Sequence, residues 1–213
     1  MVRALAPLEL SMSTPSAFRH PRSLPLRLWH WSNALVLSGL LGTVLLRKTF
    51  LSWRDNSALI EAKVAKLGET ISPETAVAVA KTLRDPMWAW HYPLGQALAA
   101  LLVARLGIAL WERAQGARPA PATDLHVRLV SWLYRLFYVW VGFLVITGLS
   151  LYWREALGLA GPWRDAAKEA HELAMWGMAA FVPLHVVGVV VAELRGERGL
   201  VSGMIHGDDD IPV

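Results

Sequence analysis

Apolar positions in this chain gather into four blocks, at about 28–46, 88–111, 131–153 and 171–194. Each is close to the roughly 20 residues that carry a helix across a bilayer core. Tryptophans mark the block ends (Trp29, Trp31, Trp88, Trp90, Trp111, Trp132 and Trp153), as aromatic belts do at membrane interfaces. The pattern predicts an all-α membrane protein, a bundle of four transmembrane helices spanning 28–194. Residues 1–27 are polar, rich in Ser and Pro, and lack the apolar core of a cleavable signal, so the first span is expected to serve as an uncleaved signal-anchor. Residues 195–213 read as a tail whose run Asp208–Asp210 is solvated, and 1–24, 115–124 and the stretch from Ser202 onward read as mobile.

The connection 47–87 is long and carries structure of its own. Asn56–Leu67 reads as a short helix stopped by Gly68. Ser72 and Pro73 then supply an N-cap and a first helical position for another. Ala76, Val77, Ala80 and Leu83 follow at helical spacing, a weak apolar face. An extended helical loop, capping the bundle or docking a partner, is expected on the face opposite the termini.

Composition narrows the chemistry. The chain is 54% hydrophobic and 18% charged, with no cysteine. Without cysteine there is no thiolate for an iron–sulfur cluster, no covalent haem attachment and no disulfide. The formal charge of +4 needs no nucleic acid, because the basic residues flank membrane ends. With the N-terminus inside, nine arginines fall on that side and ten basic residues on the other, so the positive-inside rule nearly ties. The Arg-rich, Lys-free N-terminal segment favours cytoplasmic termini.

Histidine carries the remaining signal. His171 and His185 lie 14 residues apart on the fourth block, close to four whole turns, so they share a face roughly 21 Å apart along the axis. His30 and His91 sit near the ends of the first two blocks. Ionisable groups inside spans are costly and are functional candidates by default. Alternating helix direction sorts the four by depth into an inner pair, His30 with His185, and an outer pair, His91 with His171. Zinc sites gather three or four protein ligands at one point. Two ligands per site suit a haem iron, whose porphyrin fills the other positions, and a saturated iron of this kind serves electron transfer. His20, His126 and His206 read as surface residues.

Gly95, one turn from His91, leaves room for a flat macrocycle or for close helix packing, as do Gly39, Gly42, Gly142, Gly148, Gly177 and Gly188. Arg105 follows His91 by 14 residues, on the same face and at the depth of the inner pair. It is read as the partner of a haem carboxylate, with snorkelling to the surface as the alternative.

RLWHW in the first span, His91 with Gly95 and Arg105 in the second, ITGLSLY in the third, HELAMW with His185 in the fourth, and the terminal SGMIHG together resemble a known family. This is the diheme cytochrome b subunit of nickel–iron hydrogenases and formate dehydrogenases, within the bacterial cytochrome b561-like group. The resemblance implies two b haems, ligated by His30/His185 (inner) and His91/His171 (outer), in the bacterial inner membrane. It also implies electron transfer between a quinone pool and a periplasmic or membrane-anchored redox subunit. The 47–87 connection departs from the family in length, which leaves three partners open: a hydrogenase-like subunit, another dehydrogenase or a c-type cytochrome. His206 stands where the family carries a small hydroxyl residue. The other readings are a stand-alone oxidoreductase acting on superoxide or an external metal chelate, and a non-redox membrane scaffold. Quinone-site residues are not legible; His126, Arg128, Tyr134 and Arg135 serve equally as interface anchors.

Overall fold

The computed structural model describes residues 23–116, 125–195 and 199–207. Its helices are α1 (Leu24–Lys48), α2 (Trp53–Lys66), α3 (Pro73–Ala114), α4 (Leu125–Tyr152), α5 (Gly161–Leu194) and α6 (Leu200–Ile205). The expected segments 1–22 and 117–124, and the acidic run Asp208–Asp210, lie outside the described residues. Large apolar side chains such as Leu35, Leu106, Val139, Ile146 and Leu184 are exposed along the long helices. An exposed apolar surface of this extent belongs in lipid. Among the described residues three helices, α3, α4 and α5, are long and apolar enough to cross a membrane, and α1 meets that measure together with α2, across a bend of 40°.

The helices overrun the apolar blocks. The second arm of the expected loop is not a separate helix but the beginning of α3, which runs 42 residues from Pro73 through Pro86 and Pro93 to Ala114. At 1.5 Å per residue that is about 63 Å, twice a bilayer core. Each proline forfeits one intrahelical bond, but the turns on either side hold the helix continuous. α5 likewise begins at Gly161, ten residues ahead of its apolar block, with Pro162 in its first turn. Both overhangs rise on the same side, and α2 folds back along the α3 overhang.

Local chemistry explains this hairpin. Glu69 N–H donates to the Val64 carbonyl (3.3 Å) and Gly68 N–H to Ala65 (3.1 Å), closing the end of α2 as a Schellman motif. That motif needs a residue with positive φ, and Gly68 supplies it at 81°. Thr75 N–H donates to the Ser72 hydroxyl at 3.2 Å, capping α3 as expected. Ala76 and Ala80 are wholly buried, letting the helices approach closely. Leu83, assigned to the same face, is instead exposed.

The C-terminal stretch also departs from expectation. Leu200–Ile205 forms α6, tied back to α1. Arg27 Nη2 donates to the Ile205 carbonyl (2.6 Å) and Trp31 Nε1 to that of Met204 (3.0 Å). The last carbonyls of a helix have no intrahelical donors; here α1 provides them. Gly207, at φ 91°, lies against Arg27. SGMIHG is thus a small docked helix.

The core, Leu37, Leu98, Val141, Leu144, Ala174, Met175 and Met178, joins α1, α3, α4 and α5. On α5 its members fall between His171 and His185.

Candidate cofactor sites

α1 and α5 bring the imidazoles of His30 and His185 to 6.3 Å between ring centres, with planes inclined by 59°. Two imidazoles bound through nitrogen to one metal at about 2 Å each sit roughly 6 Å apart centre to centre, so this spacing fits axial ligation. Phe181, one turn before His185, lies parallel to its ring (5.9 Å, 9°), and Phe137 of α4 stacks on Phe181 (5.0 Å). These aromatic faces fix the orientation of His185.

Arg105 lies beside Trp29, the residue before His30. Its Nε donates to the Tyr138 hydroxyl at 3.0 Å, and its guanidinium sits 5.7 Å from the Trp29 ring and 5.5 Å from that of Tyr138. Trp29 is fixed by donating from Nε1 to the Leu101 carbonyl (2.6 Å). The cation is therefore held inside the bundle rather than snorkelling along the helix. Among the described residues Nη1 is buried with no hydrogen-bond partner. A buried guanidinium nitrogen left this way calls for an acceptor, and a carboxylate suits its geometry.

His91 and His171 line a single cavity of about 760 Å³, within the range of small-molecule and cofactor sites. Gly95 and Gly148 line it as well. A Cβ on Gly95 would meet nothing within 4 Å, so this glycine keeps cavity space free. A Cβ on Gly148 would stand 3.1 Å from His171 Cε1, so that glycine makes room for the ligand side chain itself.

Each of these imidazoles is anchored by a threonine from the neighbouring helix. Thr43 Oγ1 lies 2.8 Å from His91 Nδ1, and Thr147 Oγ1 lies 2.9 Å from His171 Nδ1. Thr43 donates its own proton to the Leu40 carbonyl (2.6 Å), and Thr147 donates to Phe143 (2.7 Å). A hydroxyl has one proton to give. With that proton committed, each threonine accepts from Nδ1–H, and the network assigns both rings the tautomer whose Nε2 lone pair is free for a metal. Neither threonine was singled out by the sequence. The usable signal was a hydroxyl deep in an apolar block, directly beside a glycine (Gly42 before Thr43, Gly148 after Thr147).

At the mouth of the cavity, Arg47 at the end of α1 makes an ion pair with Glu172 of α5 at 2.7 Å, joined by Lys48 at 3.5 Å. Trp88 packs edge-on to His91 and stacks on Tyr92, which meets Tyr152. No group of three or more His, Cys, Asp or Glu capable of holding a bare metal ion occurs among the described residues. The four histidines come instead in twos, a number that suits a haem iron with a protein ligand on each face. His206 caps the end of α6; His20 and the side chain of His126 lie outside the described residues.

Long apolar helices, histidines paired across the bundle and a cavity sized for a cofactor define a helical membrane cytochrome of the b type. The chain belongs to the prokaryotic cytochrome b561 family, whose model matches residues 22–207. Haem b and electron transfer come with that membership. No curated protein and no solved structure matches the chain.

Proposed function

We propose that this chain is a two-haem relay that carries electrons across the bacterial inner membrane, between a quinone pool and a redox partner on the far side. The observation carrying this reading is the geometry of α5. It holds His171 and His185 on one face, and α1 and α3 answer each with a second histidine at its own level. His30 and His185 would hold the inner haem, His91 and His171 the outer one. Haem held by these histidines would supply a reversible one-electron iron centre.

The protein's own groups do the rest. The threonines fix two ligand tautomers, and Phe181 fixes the plane of a third. Gly95 and Gly148 leave space for the macrocycle, while the apolar core excludes water between the two levels. In this reading α1 is the first of four spans, the termini and α6 lie in the cytoplasm as the Arg-rich, Lys-free N-terminal segment favours, and the α2–α3 hairpin lies in the periplasm. The hairpin and the α5 overhang flank the outer cavity, where a dehydrogenase, hydrogenase-like subunit or c-type cytochrome would dock.

A reduced-minus-oxidised spectrum with haem quantitation on the purified chain tests the proposal. Two b haems per chain are expected, and fewer than two would sink the pairing. Reduction by quinol in membranes tests the inner partner.

A further inference from the structure

The side of the molecule that carries the hairpin is nearly balanced in charge, yet its charges are segregated. The cavity lining contains seven Arg or Lys side chains and one carboxylate, Glu172. Most of these cations are already engaged. Arg47 and Lys48 hold Glu172, and Arg154 and Arg164 pair with the adjacent Glu155 and Asp165. Arg54 lies on its neighbour Trp53, 4.6 Å from the ring.

Arg84 differs. It lines the cavity, and its Nε is buried with no hydrogen-bond partner among the described residues. It precedes His91 by seven residues on the continuous helix α3, two turns away on the same face and about 10 Å further along the axis. Arg105 follows His91 on that face by 14 residues and carries the same defect, a buried guanidinium nitrogen without an acceptor. One face of α3 thus presents a cation on either side of its histidine, one facing each site.

We infer that Arg84 pairs with a carboxylate of the group held between His91 and His171, so that the periplasmic overhang of α3 serves as part of the cofactor site. The inference rests on the two-haem reading. Haem carries two carboxylates on one edge, and an arginine answers a carboxylate with a planar two-pronged contact that desolvates both partners together. The hairpin gains a definite task from this arrangement. The Schellman turn at Gly68 and the buried Ala76 and Ala80 lock α2 against the α3 overhang, and the overhang holds Arg84 over the cavity.

The experiment compares Arg84→Gln, Arg84→Lys and Lys63→Gln with the wild type in the purified full-length chain, measuring haem content and the midpoint potential of each spectral component. Lys63 is an exposed cation of the same hairpin, away from the cavity. Removing the Arg84 charge should move the outer component to a more negative potential, because a nearby cation favours the reduced iron, and should leave the inner one in place. Lysine should restore most of the shift, and Lys63→Gln should produce none. If the glutamine variant loses the outer haem, recovery of that haem by lysine supports the charge pairing.

An Arg84→Gln protein with both haems and an unmoved outer potential overturns the inference, as does equal loss of haem in the Gln and Lys variants. So does a shift that exists only in added phosphate and vanishes on its removal, which would make a diffusible anion the partner. A wild-type chain with a single b haem refutes the two-site reading itself, and this inference falls with it.

Discussion

Thr43 Oγ1 stands 2.8 Å from His91 Nδ1 while giving its own proton to the Leu40 carbonyl. Thr147 repeats the relationship with His171 on the other side of the cavity. Replacing either threonine by valine keeps the shape and leaves a buried N–H without an acceptor, at a cost of about 1–3 kcal/mol. Such partners of metal-bound histidine change affinity by roughly 10- to 100-fold. Each variant should therefore release haem from the outer site more readily and raise its potential, since the ligand becomes a poorer electron donor. Titration of haem into the stripped protein reads the affinity, and serine in place of threonine should recover most of it.

The two histidine pairs predict separable spectra. His91→Ala should remove the outer component and largely spare the inner one, because the proposed inner ligands, His30 and His185, stand on α1 and α5. Low-temperature difference spectra distinguish the components. Equal loss of both in folded protein would count against assignment by depth.

Glycines in the two roles should respond oppositely to alanine. At Gly177 the added methyl would collide with the Trp140 ring, whose Nε1 donates to the Ala174 carbonyl at 2.9 Å. Gly177→Ala should destabilise the bundle by about 1–3 kcal/mol through overpacking. Gly95→Ala meets open space within the protein. It should leave the melting of the haem-free chain unchanged or raise it slightly, since alanine favours the helix, and weaken haem binding. Thermal melts with and without haem separate the two outcomes.

Arg105→Leu should shift the inner haem to a more negative potential, because it removes a cation fixed between Trp29 and Tyr138. Tyr138→Phe, which breaks only the 3.0 Å bond to Nε, should shift it less and in the same direction. Redox titration of the two variants checks this order; an unmoved potential in Arg105→Leu would leave the guanidinium without a carboxylate to hold.

Much of the site was legible because the membrane simplifies the code. Burying an ionisable side chain in lipid is expensive, so His30, His91, His171, His185 and Arg105 stood out, and helical periodicity supplied their depth. Element ends were less legible. The apolar blocks mark where lipid lies, not where a helix stops: the helix opened by Ser72 and Pro73 was legible, but its continuity into the second span and the extra turns of α5 were not. SGMIHG reads as a loose tail until Arg27 and Trp31 of α1 supply the donors its last carbonyls lack.

By itself, the sequence determined the membrane class, the long apolar helices and the residues eligible to be ligands, because hydrophobic blocks and helical spacing are local properties of the chain. Only the tertiary structure decided which hydroxyl meets which imidazole, which glycine faces space and which a tryptophan, and which arginines keep an unanswered donor. Those are relations between separate helices. Their rotation and offset come from packing along the whole bundle, to which residues far apart in the chain contribute together.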